Sequence, residues 1–307
     1  MLRFILRRLL VTIPTILVVI TITWGLIKLA PGNFYSGEKR LPPAIEKSIR
    51  EKYGLDKPWY QQYGKMLWGI VRYGDFGTSL KYEGQSVNGI IRRSLPVSAA
   101  VGILAYLLAL FVGITAGSIA ALKQNSRWDY GSMTLAMLGI SLPNFVLGPI
   151  LVLIFSLSLY WLPPSRWGGF PSRNLVLPVI TLSAIYMAYI ARLARAGMLE
   201  VLRSDYIRTA RAKGLSETAV VINHALRGGL MPVVSYTGPA LAFLLTGTVV
   251  VERIFALPGL GNYFIQASLN RDEPLIIGIV AFIAITLLLM NLLVDIAYAY
   301  LDPRVRY

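Results

Sequence analysis

The sequence has no cysteine and a single histidine, His224, among its 307 residues. Disulfide bonds, thiolate nucleophiles and cysteine metal ligands are therefore excluded, and a zinc site, which needs roughly three or four protein ligands, is not expected. Charged residues are also scarce, since they make up 15% of the chain, whereas soluble domains carry about a quarter. Hydrophobic residues make up 55%. This composition is typical of membrane proteins.

Motifs for nucleotide or nucleophilic chemistry are absent as well. The sequence contains no G-x-x-x-x-G-K-[ST] phosphate loop, so it is not expected to hydrolyse ATP by the P-loop route. The nearest approach to a G-x-S-x-G nucleophile motif, residues 77–81, ends in lysine. We therefore expect no catalytic residues, no enzyme activity, and no metal or cofactor bound by this chain. Acidic residues are rare within the apolar runs, which disfavours a secondary carrier driven by protons or sodium.

Long apolar runs are what the sequence does have. Six runs are long enough to cross the roughly 30 Å hydrocarbon core at about 1.5 Å per residue, and they lie at 9–29, 98–122, 133–160, 175–194, 230–251 and 275–299. The first is longer than the apolar core of a signal peptide, so we expect it to be retained. The sequence predicts an all-α membrane protein with six transmembrane helices.

The basic residues predict the orientation of these spans. Lysine and arginine outnumber aspartate and glutamate by 30 to 15, and among the short connecting segments they are concentrated in the N-terminus, 123–132, 195–229 and the C-terminal tail. The long segment 31–97 is also basic, but loops of more than about 60 residues largely escape the rule that relates charge to orientation. Because short cytoplasmic loops are enriched in basic residues, both termini are predicted to be cytoplasmic, and nucleic acid is not an expected partner. The chain then divides into 1–30 with the first helix, an external segment 31–97 that contains a small subdomain, and a five-helix core at 98–307 that includes the cytoplasmic loop 195–229.

Proline and glycine interrupt two of the spans, at Pro143 and Pro149 in the third and at Pro232, Gly238 and Pro239 in the fifth. We expect kinks or unwinding there. Polar side chains beside such breaks either line a wet path through the membrane or bond the freed backbone groups, and both interpretations stay open. The candidate path residues are Ser141, Asn144, Tyr236 and Thr246.

Small residues recur every four positions along the second span, and the repeat includes Gly113 and Gly117. They fall on one helix face and allow another helix to approach closely. The stripe predicts tight helix packing, either within the chain or against a second subunit.

The loop at 195–229 reads as two short helices. Ser204 is placed to cap a helix over 205–213 and Gly214 to end it, while Ser216 can cap the next helix. Tyr206, Ala210 and Lys213 are predicted to share one face of the first helix at helical spacing. That face suits insertion into a groove on another protein, and the alternative is a basic loop resting on lipid headgroups.

Residues 205–215, Asp-Tyr-Ile-Arg-Thr-Ala-Arg-Ala-Lys-Gly-Leu, make the chain recognisable. They resemble the loop signature of binding-protein-dependent ABC importer permeases, and of the oligopeptide and dipeptide branch in particular, with the first of the two permeases as the best match. Supporting motifs lie at 29–32, 74–79, 252–261 and 302–307. One departure is Arg208-Thr209-Ala210, where the wider family has Glu-Ala-Ala.

This resemblance implies a type I ABC importer permease in a bacterial inner membrane. The implied partners are a second, similar permease subunit, two cytoplasmic ATPase subunits that bind ATP and magnesium, an external substrate-binding protein, the lipid membrane and a peptide substrate. Import of nickel chelates or oligosaccharides is the alternative within the family, and a membrane scaffold or secondary carrier is the alternative outside it. The residues implied to couple to the ATPases are Asp205, Tyr206, Arg208, Thr209, Ala210, Arg211, Ala212, Lys213 and Gly214.

Overall fold

The computed structural model of the chain describes residues 2–30, 47, 51, 54, 56–164, 166–246 and 248–301. The motif at 302–307 and most of 31–53 lie outside these residues. In chain order the helices are α1 (Leu2–Leu29), α2 (Trp59–Tyr73), α3 (Val87–Leu122), α4 (Arg127–Ser141), α5 (Asn144–Leu151), α6 (Val176–Leu202), α7 (Asp205–Ala212), α8 (Glu217–Ala219, a π-helical turn Val220–Ala225 and Leu226–Gly229), α9 (Met231–Leu245), α10 (Val249–Ile254), α11 (Leu260–Leu269) and α12 (Glu273–Leu301).

Five helical spans are each long and apolar enough to cross a membrane: α1, α3, α6, α9 with α10, and α12. The third predicted span is bent instead. There α4 and the helix that runs through α5 and the π-helical turn Val152–Ser158 meet at 104°, with Leu142 and Pro143 at the break. Proline has no N–H to donate and disfavours helical backbone in the residue before it. Counting the bent pair as one crossing confirms the six spans.

Several predicted boundaries are wrong. The second span begins at Val87 rather than at 98, because Ser86 accepts a hydrogen bond from the Gly89 N–H at 3.1 Å and the first turns of α3 are buried against α12. Residues 87–97 therefore form the first turns of this helix. Likewise α6 continues to Leu202, so 195–202 is helix rather than loop.

The fifth span also differs from its prediction. The helix α9 runs through Pro239 and ends at Leu245, and α10 resumes at Val249. Gly238 packs against Asn291 and Val294 of α12, and such packing lets a membrane helix tolerate an internal proline.

The centre of the bundle is the pair α3 and α6. Gly113 lies against Ile190 and Gly117 against the Ala191 carbonyl, and a methyl group at either glycine would overlap these atoms. The small-residue stripe of α3 is therefore used for packing within the chain, and it leaves α6 at the centre of the fold.

Candidate functional site

The predicted coupling helix exists as α7, Asp205–Ala212. Ser204 has the extended backbone of an N-cap residue, but its Oγ donates to the Val201 carbonyl at 2.6 Å instead of capping α7. After the helix, Gly214 has φ of +78°. Only glycine adopts this left-handed conformation without strain, so the role predicted for Gly214 at the helix end is confirmed.

Two side chains hold α7 against the bundle. Ile207 is fully buried and Ala210 is 6% exposed, and they pack with Ala121 of α3, Met198 of α6 and the α8 residues Val220 and Ala225. The prediction that Ala210 faces a partner is therefore wrong. Ile207 is the large aliphatic side chain of this short helix, and its burial determines which face of α7 points into the bundle. Because residues three apart lie on the same face of a helix, Ala210 is buried with it.

All the other predicted coupling residues are exposed: Asp205, Tyr206, Arg208, Thr209, Arg211, Ala212, Lys213 and Gly214. Arg208 forms an ion pair with Asp205 at 3.2 Å and Arg211 with Glu217 at 2.6 Å. The hydrogen bonds from Arg211 hold the pKa of the Glu217 carboxyl below its ordinary value. Because both pairs are exposed to solvent they contribute little stability, and they remain available to another molecule.

The loop is fixed rigidly to α6. Gly197 of α6 touches the Gly229 carbonyl so closely that a methyl group could not be placed there. The second helix of the loop begins as predicted, since Ser216 accepts a hydrogen bond from the Ala219 N–H at 3.4 Å. The loop is therefore joined to α6 by packed backbone of α8.

An ion pair strengthens the same end of the bundle. Asp129 in the first turn of α4 is 2% exposed and accepts two hydrogen bonds from Arg195 of α6, each 2.7 Å long. The second carboxylate oxygen also accepts from the Asn125 N–H at 3.0 Å. This fork-shaped pairing ties the turn between α3 and α4 to the last turns of α6.

Two buried carboxylates at the opposite end were missed by the sequence reasoning. Glu252 is 3% exposed and accepts hydrogen bonds from the Ser98 hydroxyl at 2.7 Å and the Asn262 N–H at 2.9 Å. It thereby folds α10 back onto the start of α11. A Cβ at Gly259 would overlap this carboxylate, which explains the glycine in the motif at 252–261.

Asp272 is the second buried carboxylate, and it holds the end of the motif at 74–79 in place. Its fully buried carboxylate accepts hydrogen bonds from the Ser79 hydroxyl, from the Leu80 N–H at 3.0 Å and from the Lys81 N–H at 3.2 Å. The loop after α2 is thus attached to the start of α12. For Asp272 the sequence held a signal, because this acid directly precedes α12 and its Oδ1 also accepts a hydrogen bond from the Leu275 N–H at 3.4 Å. No such signal marked Glu252, which lies within α10 and bonds residues of α3 and α11.

The four predicted path residues have different surroundings. Ser141 donates to the Met137 carbonyl at 2.9 Å and Thr246 to the Phe243 carbonyl at 3.0 Å, so both bond backbone groups. Asn144 begins α5 and is partly buried. Tyr236 of α9 packs against α6, where its ring centroid is 6.4 Å from that of Tyr186 and 5.9 Å from that of Tyr189.

Comparison with known proteins agrees with this architecture. Residues 113–307 match the family model described as binding-protein-dependent transport system inner membrane component, and residues 1–102 match the model of the N-terminal part of such membrane components. A chain of the MetNI methionine ABC transporter in an inward-facing conformation has the same fold, with a TM-score of 0.59 at 15% identity over 69% of this chain and 96% of that chain.

Relatives of similar length are more alike in sequence. The oligopeptide transport system permease protein OppB of Haemophilus influenzae is 46% identical over 100% of both chains. The dipeptide transport system permease protein DppB of Bacillus subtilis is 42% identical over 100% of this chain and 98% of its own. The chain belongs to the family of inner-membrane components of binding-protein-dependent transport systems.

Proposed function

We propose that this chain is a permease subunit of an ATP-driven importer of oligopeptides or dipeptides. The observation that carries the proposal is the 46% identity over the whole length of both chains with an oligopeptide permease. The name of the 42% identical relative also refers to peptides. Nickel-chelate and oligosaccharide import are not favoured by these relatives, and a scaffold or secondary carrier is not favoured by the family.

In this proposal the chain forms the path together with a second permease subunit. An external binding protein delivers peptide, and two ATPase subunits that bind ATP and Mg²⁺ drive the cycle. The end that carries α7 is cytoplasmic, as are both termini, and the segment 31–97 is external. Among the short connecting segments, the excess of lysine and arginine in those placed inside supports this orientation.

The ATPases act on the exposed face of α7. Because Ile207 and Ala210 pack α7 into α3, α6 and α8, and Gly197 locks α6 onto α8, the loop can serve as a rigid lever. Closure of the ATPases around ATP then moves the end of α6, and with it the helices that enclose the path. The apolar contacts within the chain keep the lever intact while its polar face binds the partner.

Peptide uptake tests the function directly. The chain and its partner subunits are coexpressed in a host that lacks its own peptide permeases, and accumulation of a radiolabelled tripeptide is measured with and without this subunit. Accumulation that requires both the subunit and ATP is the expected result. Failure to take up peptide, combined with uptake of a nickel chelate or an oligosaccharide, would overturn the proposal.

The coupling role of α7 needs a separate experiment. Ala212 is exposed and small, so Ala212→Glu places a charge on the docking face without disturbing the buried cluster. We expect the variant to be inserted normally but to lose copurifying ATPase and peptide uptake. Arg127→Gln is the matched control, because it changes the net charge equally at an exposed position of the same end. Normal ATPase binding by Ala212→Glu would show that α7 does not dock there.

A further inference from the structure

The helix α6 has an open face although it is the most deeply packed span. Its apolar stretch is 61% buried, against 44% or less in the other four single spans. Even so, Tyr189, Arg192, Ala196 and Glu200 are exposed, and they recur at helical spacing along one side. Arg192 and Glu200 make this exposed side of α6 polar as well as open.

The neighbours of α6 define where this stripe lies. Gly113 of α3 packs against Ile190, so α3 covers that side of α6. Gly139 of α4 packs against the Ala184 carbonyl, so α4 covers a second side. An α-helix turns by about 100° per residue. Counted from these two positions, Tyr189 and Arg192 lie on the side of α6 that faces away from α3, next to the side that α4 covers. The ring contact between Tyr189 and Tyr236, with centroids 5.9 Å apart, sets α9 at the other border of the stripe.

The open face continues onto α9. Ser235, Pro239 and Phe243 are exposed there, on the side adjoining Tyr236. The exposed sides of α6 and α9 therefore meet at Tyr189 and Tyr236 and form one surface.

Arg192 is the charge at the centre of this surface. Its guanidinium carbon is 5.0 Å from the Tyr189 ring centroid, and among the described residues no ion pair is formed by it. Arg195, one turn further along α6, is instead neutralised by Asp129 at 2.7 Å. A cation–π contact positions a guanidinium without using its in-plane N–H donors, so the donors of Arg192 stay available to a ligand.

We infer that Arg192, positioned by Tyr189, binds the C-terminal carboxylate of the transported peptide. The inference rests on the proposed function. Peptides of different sequence share a main chain and two charged ends, and a guanidinium binds a carboxylate with two parallel hydrogen bonds. The tyrosine rings offer apolar faces to side chains of any sequence. On the stripe the nearest acid is Glu200, two helical turns from Arg192, so a peptide carboxylate has little local competition.

Uptake of two matched probes tests the inference. The complete complex, with its ATPases and binding protein, is reconstituted in proteoliposomes, and uptake of trialanine is compared with uptake of trialanine amide. We expect Arg192→Gln to lower uptake of the free acid about tenfold relative to wild type and to leave uptake of the amide nearly unchanged. The ratio between wild type and variant removes any preference of the binding protein, because that protein is the same in both complexes.

Further variants separate ligand binding from a structural role. Arg192→Lys keeps the positive charge but cannot form two parallel hydrogen bonds to a carboxylate. Its uptake of the free acid should therefore lie between that of wild type and that of Arg192→Gln. Arg127→Gln, which removes an exposed charge at the same end of the bundle, should affect the two probes equally and weakly. Copurification of all subunits with each variant establishes that the complex is assembled.

Two results would overturn the inference, and they differ from each other. If Arg192→Gln lowers uptake of both probes by the same factor, or of neither, Arg192 does not bind the carboxylate and instead serves packing or a contact with another subunit. If the wild-type complex takes up neither probe, the proposed function fails and the inference fails with it.

Discussion

At the end of the bundle where α10 turns back into α11, the carboxylates of Glu252 and Asp272 are buried and accept hydrogen bonds from this chain. At the other end, the charged groups of α7 are exposed, and only Ile207 and Ala210 of that helix are buried. The motifs at both ends resemble those of one family, but the side chains in them have different uses.

The difference follows from what each backbone turn requires. Around Glu252 and Asp272 the chain reverses direction inside the protein, where N–H groups without a partner are costly, so acids are needed as acceptors. The loop that carries α7 reverses at the surface, where water can serve its backbone. Its polar side chains are therefore left for a partner, and its attachment depends on apolar contact.

The largest effect is expected from Glu252→Ala. The substitution leaves the Ser98 hydroxyl and the Asn262 N–H without their buried acceptor, and should lower the free energy of unfolding by about 3 kcal/mol. Thermal unfolding of the purified protein, followed by tryptophan fluorescence, measures the change. Glu83→Ala, at an exposed position, is the control and should stay within about 0.5 kcal/mol of wild type. Equal stability of the two variants would mean that Glu252 is not a structural acceptor.

A smaller loss is expected from Gly197→Ala. A methyl group there overlaps the Gly229 carbonyl, so α6 and α8 must separate, at a cost of about 2 kcal/mol. Gly131→Ala is the matched change in α4, where a Cβ meets no atom within 4 Å, and should stabilise by about 0.5 kcal/mol. The same unfolding assay compares them. If both alanines behave alike, the loop is not held by this contact.

Gly214→Val should act locally at the end of α7. Valine at φ of +78° is strained by about 1 kcal/mol or more, so the loop should be cut faster in limited proteolysis while the bundle keeps its unfolding temperature. Gly214→Asn is the control, since asparagine tolerates this conformation better. Identical cleavage rates for valine and asparagine would argue against a left-handed residue here.

The smallest effect is expected from Glu217→Gln. Arg211 lowers the pKa of the Glu217 carboxyl, so the contribution of the pair is present above the ordinary carboxyl pKa and is lost as the pH falls through the depressed one. The pair is exposed, and salt screens it. Wild type and variant should therefore differ slightly in loop proteolysis at pH 7 and low salt, and the difference should shrink as the pH is lowered below the ordinary carboxyl pKa. A difference that does not change as the pH is lowered would contradict this assignment.

The pattern of residues predicted α7, its end at Gly214 and the Ser216 cap, because these depend on interactions between residues near in sequence. It did not predict that Ala210 faces inward. That depends on Ala121 and Met198, which come from other helices. Nor did it predict that α3 starts at Val87. The first turns of α3 contain two arginines, so their low hydropathy placed them outside the predicted span, but in the structure these turns are buried against α12 and are helical.

By itself the sequence determined the membrane class, the number of spans, the bend at Pro143 and the family, because apolar length, proline chemistry and contiguous motifs are local properties. Only the tertiary structure decided which acids are structural, which face of α7 is free, and that Arg192 lies beside Tyr189 on an open surface between α6 and α9. Each of these depends on the partner that a side chain meets across the bundle. Spacing along one helix specifies a face, but not the helix that covers it.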